Sequence, residues 1–211
     1  ERESRYLRRA AHAGVVDVID LLPMQTGPGL VMEHLPGGDL VALAGSHPTH
    51  WAGLVRDVVR ALAYAHSRGL VHGDIKPRNV LLDAGGRARL IDFGLACDVG
   101  SIRRAGGGTP AYQRAAQCPD TPVDTADDIH ALAVMTYELL CGRLPYGVNP
   151  DRRALETPPV PSLEICPNYA DESTLVELAT LIDLLLTSKA EACNQPLDAL
   201  DALLAAIIAH D

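Results

Sequence analysis

Two short stretches hold residue types that could do chemistry together. The first is His72-Gly73-Asp74-Ile75-Lys76-Pro77-Arg78-Asn79, and the second is Ile91-Asp92-Phe93-Gly94. Asp74 could orient a hydroxyl and take its proton. Asn79 and Asp92 offer hard oxygen ligands of the kind magnesium prefers. Lys76, between Asp74 and Asn79, could hold a phosphate as a point charge. Phosphoryl transfer asks for this set: an oriented nucleophile and neutralised phosphate charge. Each residue alone has a plainer reading. Asp74 could be a helix cap, Asn79 a turn residue, and Asp92-Phe93-Gly94 a turn after a strand. The two stretches in this order, joined by a hairpin, favour the chemical reading.

The flanking pattern shows which elements must position them. Residues 1–11 read as a charged amphipathic helix with Tyr6, Leu7 and Ala10 on one side. Segments 15–22 and 30–35 read as strands, separated by the turn signal Gly27-Pro28-Gly29. Segment 51–68 is a long helix with Leu54, Val58 and Leu62 in register and Gly69 as its stop. Val80 to Leu82 and Ala88 to Ile91 flank a turn and predict the hairpin. Segment 95–124 is Gly-rich and irregular, and reads as a functional loop. Thr125 to Cys141 is helical and apolar nearly all round, the mark of a helix buried on every side. Thr125 is the expected N-cap, with Asp128 at the third position of the first turn. Segment 142–168 reads as Pro-rich loop with one short helix. Two amphipathic helices follow, one using Leu175, Leu178, Ile182 and Leu185, the other Leu197, Leu200, Leu204 and Ile207, with Pro196 in its first turn.

The two motifs resemble the catalytic loop and D-F-G element of the eukaryotic-like serine/threonine protein kinases. The resemblance implies an α+β, protein-kinase-like fold. Residues 1–35 would be a partial N-lobe with one helix, two strands and the hinge. Residues 36–211 would be the mostly helical C-lobe with its small β-hairpin. It further implies that Asp74 is the catalytic base, that Asn79 and Asp92 hold Mg²⁺, and that Lys76 contacts the transferring phosphate of ATP. Glu3 matches the helix glutamate that pairs with a strand lysine. Leu7, Val18, His72 and Phe93 would stack as a spine. Leu30 to Leu35 resembles the hinge strand, with Met32 as gatekeeper, backbone groups of Glu33 and Leu35 bonding adenine, and Leu81 in the adenine floor. Asp39 would reach the ribose, or else cap a short helix at the surface. Gly108-Thr109-Pro110-Ala111-Tyr112 resembles the loop that receives a protein substrate, with Thr109 near Asp74 and Lys76. That loop and Lys76 imply Ser/Thr rather than Tyr specificity. Asp128 matches the buried-helix aspartate that ties down the catalytic-loop backbone, although an acid at a helix N-terminus has its own dipole rationale. Cys141 to Tyr146 resembles the family's post-helix turn.

Four departures carry expectations of their own. The Gly-rich phosphate loop and strand lysine of the family are not in these residues. They are expected upstream of Glu1, and this piece alone is not expected to turn over. Gly73 stands where the family has an arginine that binds a phosphorylated activation loop, and between Leu95 and Gly108 only Ser101 carries a hydroxyl. Activation without loop phosphorylation is therefore expected. The A-P-E element reads Arg114-Ala115-Ala116, and its usual arginine partner aligns with Cys193. Losing both halves of a buried ion pair can be neutral, whereas losing one costs about 3–5 kcal/mol.

Composition bounds the remaining possibilities. The 211 residues suffice for one domain or one large lobe, and the net charge of −9 disfavours nucleic acid as a partner. Five cysteines, odd in number and without a C-x-x-C pair, read as reduced thiols in a cytoplasmic protein. No apolar run approaches the ~18 residues of a membrane span. The expected partner is a protein with a Ser or Thr acceptor. Two other readings share the motifs. An aminoglycoside-phosphotransferase-like small-molecule kinase also shows H-G-D-x-x-x-x-N and I-D-F-G, but Lys76, the 108–112 loop and the Asp128 helix side with protein kinases. A pseudokinase scaffold is the second: the intact Asp74, Lys76, Asn79 and Asp92 argue against it, while the lack of the Gly-rich loop and strand lysine in these residues keeps it open.

Overall fold

The computed structural model describes residues 2–25, 27–102, 107–187 and 195–209. Helix α1 (Arg2–Arg9) opens the chain and buries Tyr6 and Leu7. Strands β1 (Val18–Leu22) and β2 (Gly29–Met32) pair antiparallel, with Leu21 opposite Leu30 and an irregularity between Val18 and Asp20. Both strands are shorter than the apolar runs that predict them. Val15 and Val16 are diverted to a different partner: Val16 N–H donates to the Leu90 carbonyl at 3.0 Å, and Leu90 N–H to the Gly14 carbonyl at 2.8 Å. Gly14 is required there, because a Cβ would come within 2.9 Å of the Asp57 carbonyl.

Helix α2 (Ala52–Ser67) is the first long element, and Gly69 at φ +69° ends it as the sequence predicts. Trp51 at its N-terminus is fully buried and donates its indole N–H to the Ser46 carbonyl at 3.2 Å. Next come β3 (Leu70–Val71), β4 (Val80–Leu82) and β5 (Ala88–Leu90). The β4–β5 pair is the expected hairpin. Asp83 Oδ1 accepts the Gly85 and Arg87 N–H groups and so holds its turn. Buried Asp57 on α2 clamps the hairpin by accepting from Arg87 Nε at 2.8 Å and from Ala88 N–H at 3.2 Å.

The irregular segment after Leu95 is more ordered than its composition predicts. Strand β6 (Cys97–Asp98) pairs with β3, and Gly100 and Ser101 exchange backbone bonds with Val123. A two-residue strand carries no periodicity, so nothing local announces it. Arg2 donates to the Ala96 carbonyl, while Arg9 and Tyr6 reach the Asp98 carboxylate. These bonds dock α1 on the start of this segment.

Helix α3 (Thr125–Cys141) is buried on nearly every face, as its apolar girdle predicts. Its N-cap is Asp124 rather than Thr125. The Asp124 carboxylate accepts from Ala126 N–H at 3.0 Å, and Asp127 returns the bond from Asp124 N–H at 3.3 Å, closing a capping box. Segment 142–168 holds two short helices, α4 (Arg152–Glu156) and α5 (Ser162–Ile165), where one was expected. Tyr137 of α3 donates its hydroxyl to the Val160 carbonyl of this segment, and Tyr146 of the segment donates to the Leu186 carbonyl. Helices α6 (Ser173–Leu185) and α7 (Pro196–Ala209) bury the predicted stripes, α6 packing on α3, and α7 on α2 and α6.

His130 on α3 is buried and stacks on Tyr146 with centroids 6.3 Å apart. Its Nε2 has no hydrogen-bond partner among the described residues. Burial, helped by the Arg114 charge, lowers its pKa to about 4. A histidine whose folded value lies below its unfolded value of 6.5 stabilises the fold fully above 6.5 and loses that contribution as the pH falls toward 4. Urea unfolding from pH 7 to 4 should therefore show a decline of about 3 kcal/mol that His130→Phe removes. An identical pH dependence in the variant contradicts the assignment.

Candidate active site

The catalytic loop runs from β3 to β4 and is built around Asp74, which is 8% exposed. Both carboxylate oxygens are fully engaged. Oδ2 accepts from Lys76 Nζ at 2.5 Å and from Asn79 Nδ2 at 3.0 Å. Oδ1 accepts from the Thr109 N–H at 3.1 Å and the Thr109 hydroxyl at 2.9 Å. Lys76 Nζ also reaches Thr109 Oγ1 at 2.8 Å, and Asn79 Nδ2 reaches the Asp74 carbonyl at 2.8 Å. Burial raises the Asp74 pKa, but the bonds from Lys76, Thr109 and Asn79 outweigh it, so the group sits below its ordinary value and is ionised. The structure thus brings together Asp74, Lys76, Asn79 and Thr109, three from one loop and one from a distant segment.

Two supports fix this loop. His72 is fully buried and accepts the Asp74 N–H on Nδ1 at 3.2 Å, which makes Nε2 the donor to the Ile91 carbonyl at 2.9 Å. Its desolvation lowers its pKa against the pull of Asp128, so the ring is neutral. It meets Phe93 edge-on at 4.6 Å, while Leu7 is buried in the same core and Val18 is half-buried against it. The second support is Asp128 of α3, whose oxygens accept the His72 and Gly73 N–H groups at 2.8 Å each. Asp128 also bonds His66 Nε2 at 2.9 Å. The sequence reading missed His66, because a single histidine at the end of α2 carries no pattern.

Asp92 is exposed and sits in the left-handed region at φ +62°, where its Oδ1 accepts the Gly94 N–H at 3.3 Å. An aspartate tolerates this conformation better than most residues. The Ile91 N–H bonds the Asn79 carbonyl at 2.9 Å, which draws the second motif against the first. Asn79 spends its amide N–H on Asp74, and its amide oxygen accepts no bond among the described residues. That oxygen and the Asp92 carboxylate are the donor types magnesium takes, with the remaining positions left to phosphate and water. Among the described residues, no group of three or more His, Cys, Asp or Glu converges.

Glu3 is half-buried, and its pKa is raised by burial first and by the Asp92 charge second. On the hinge side, Glu33 commits its carboxylate and its backbone N–H to Asp17, at 2.9 and 3.0 Å. Its carbonyl, and both backbone groups of Leu35, stay clear of hydrogen bonds among the described residues. Asp39 caps the turn Leu40–Leu43 through Val41 N–H at 3.0 Å, the plainer of its two readings. Its backbone bridges to half-buried Leu81, joining the hinge to β4.

Further pairs were not foreseen. The Tyr112 hydroxyl donates to Glu138 at 2.5 Å, and burial together with that carboxylate raises its pKa far above the usual phenol value. Arg114 pairs with buried Asp127 at 2.7 Å, so this residue of the altered A-P-E element holds the first turn of α3. Cys193 lies outside the described residues, as do residues 103–106 of the activation segment; Cys97, Cys118, Cys141 and Cys166 form no disulfide among the described residues. Gly73 adopts φ +85°, and a Cβ there would come 3.2 Å from the Leu95 carbonyl. A cavity of about 520 Å³ lies elsewhere, between Ala115, Ile129, Leu155 and Leu186, and contains none of the Asp74 constellation.

A family described as "Protein kinase domain" matches residues 1–187. The DNA damage-responsive serine/threonine-protein kinase RqkA of Deinococcus radiodurans is 36% identical over 166 residues, covering 73% of this chain and 25% of that protein. The serine/threonine-protein kinase PknL of Mycobacterium tuberculosis is 38% identical over 152 residues, covering 68% of this chain and 38% of that protein. The chain thus spans well under half the length of either relative. Among solved structures, the Cydia pomonella granulovirus kinase PK-1 superposes with a TM-score of 0.76 at 18% identity, covering 94% of this chain and 78% of that one.

Proposed function

The chain belongs to the protein kinase family, and on that premise we propose that it is the catalytic part of an enzyme that transfers the γ-phosphate of ATP to Ser or Thr hydroxyls of a protein. The observation that carries the proposal is the four-residue knot in which Asp74 binds Lys76, Asn79 and both polar groups of Thr109. In this reading Asp74 orients the incoming hydroxyl, which takes over the place of the Thr109 hydroxyl on Oδ1. The lowered pKa makes Asp74 a weak base. That suits a loose transition state, in which the proton leaves late. Lys76 swings from Asp74 toward the transferring phosphate. Asn79 and Asp92 would hold magnesium, which would neutralise phosphate charge when bound. Glu3 positions a strand lysine, the free backbone groups of Glu33 and Leu35 receive adenine over Leu81, and Asp39 faces the ribose.

We further assign residues 1–35 to the N-lobe and 36–211 to the C-lobe. We place the protein in the cytoplasm, in bacterial signalling, with activation that does not need loop phosphorylation. No described helix is long and apolar enough to cross a membrane. The bonds of Thr109 to Asp74 argue against a small-molecule kinase, since the 108–112 loop that supplies them resembles the substrate loop of protein kinases. The test uses the full-length protein with γ-labelled ATP and magnesium, offered casein, myelin basic protein and aminoglycosides in parallel. Label on Ser or Thr of protein, lost with a chelator, is the expected result. Label on the aminoglycoside, or on nothing, overturns the proposal.

A further inference from the structure

The cavity of about 520 Å³ is used by nothing in the phosphotransfer reading. It is bounded by the end of the activation segment, the first turns of α3, the chain after α4 and the end of α6. Ala115, Ala116 and Ala126 line it and extend no atom past Cβ into the space. Half-buried Ile129 and Leu155 and buried Leu185 make the rest of the lining apolar. Protein interiors are close-packed, so space on this scale is uncommon, and it falls in the range of about 300–1,000 Å³ typical of small-molecule pockets.

His130 of α3 also lines the cavity, and it is only 8% exposed. Its ring stacks on Tyr146, which fixes the imidazole plane. The Leu185 and Gln113 backbones interact with the ring, yet Nε2 has no hydrogen-bond partner among the described residues. Buried polar side-chain atoms are normally paired. One water on Nε2 would take up about 30 Å³ and leave most of the cavity unfilled. The charged residues of the lining are already engaged. Arg114 pairs with Asp127 at 2.7 Å, and Glu156 has an interaction of its own. A charged occupant would therefore be buried without a free counter-charge.

We propose that this cavity is a binding site for an uncharged, mainly apolar small molecule carrying one hydroxyl, which bonds His130 Nε2 while the remainder packs on Ile129, Leu155 and Leu185. The cavity contains none of the Asp74 constellation, so its occupant binds alongside nucleotide rather than in its place.

The test uses the full-length protein at neutral pH, with a non-hydrolysable ATP analogue and magnesium present throughout to keep the nucleotide side filled. Three probes share one skeleton: 2-naphthol, 2-methylnaphthalene and 2-naphthoate. Equilibrium dialysis of dilute probe against the protein gives each Kd. 2-Naphthol should bind with a Kd of about 0.1–1 mM, and 2-naphthoate about tenfold more weakly or worse. His130→Phe keeps a ring and deletes the nitrogen, so it should weaken 2-naphthol by about 3- to 10-fold relative to 2-methylnaphthalene. Ala126→Leu puts a longer side chain into the space and should weaken both neutral probes by about tenfold or more. Thermal unfolding checks that each variant is folded, and His130→Phe decides alone if Ala126→Leu is not. A 2-naphthol Kd weaker than about 5 mM, tighter binding of 2-naphthoate than of 2-naphthol, or a probe ratio unchanged in folded His130→Phe overturns the proposal and leaves phosphotransfer standing.

Discussion

Asp74→Asn should lower the phosphotransfer rate of the full-length protein by about 10²- to 10⁴-fold, the range a positioned proton acceptor contributes. The change keeps the shape of the side chain and removes its charge. Each carboxylate oxygen now receives two donors, from Lys76 and Asn79 on one side and from the Thr109 N–H and hydroxyl on the other. An amide has one oxygen, so its NH₂ must face one pair. The Thr109 hydroxyl can turn to accept, but the Thr109 N–H cannot. The variant should therefore fold, lose its grip on Thr109 and leave the substrate hydroxyl without an acceptor. Rapid-quench measurement with labelled ATP gives the rate, and thermal unfolding confirms the fold. A folded variant retaining more than a tenth of the wild-type rate rules out Asp74 as the base.

The second large effect concerns stability. Asp128→Ala should cost about 3–5 kcal/mol, the penalty for breaking a fully buried charge network from one side. Asp128 is 1% exposed and serves three donors: the backbone N–H groups of His72 and Gly73, and His66 Nε2. Alanine strands all three, and a buried unsatisfied donor costs about 1–3 kcal/mol. Burial raises the Asp128 pKa, yet the bond from His66 and the backbone N–H groups more than reverse it, leaving it below its ordinary 3.8. A depressed carboxylate contributes fully above the unfolded value and loses that contribution as the pH falls through the folded one. The gap between wild type and variant in urea unfolding should thus stay constant from pH 8 to 5 and narrow only below about 3.8. A variant within 1 kcal/mol of wild type at pH 7 contradicts the anchoring role.

What the sequence made legible follows from separation along the chain. Asp74, Lys76 and Asn79 lie within six positions, so their residue types alone describe a site. The hairpin is equally local, because the Asp83 turn and its two flanking runs specify each other. His66 and Asp128 stand 62 residues apart, and Tyr112 and Glu138 stand 26 apart. No residue in either pair signals its partner, and only the folding of α3 against α2 and the activation segment joins them. Where two answers were chemically close, local reading chose wrongly. Asp124 and Thr125 are both good caps, and the choice falls to Asp124 because Asp127 is placed to complete the box. The early strands were overdrawn for the opposite reason. Val15 and Val16 are β-branched and extended, but they pair with Leu90 instead of continuing β1.

Trp51 is the sole tryptophan of the chain, fully buried where α2 begins, with its indole N–H held by Ser46. The chain therefore carries one tryptophan, a fluorophore spectrally distinct from its six tyrosines, seated in the helical body. Its emission tracks the integrity of that body without any label. Ligands at the catalytic loop can be titrated while the same signal verifies that the scaffold beneath them is intact.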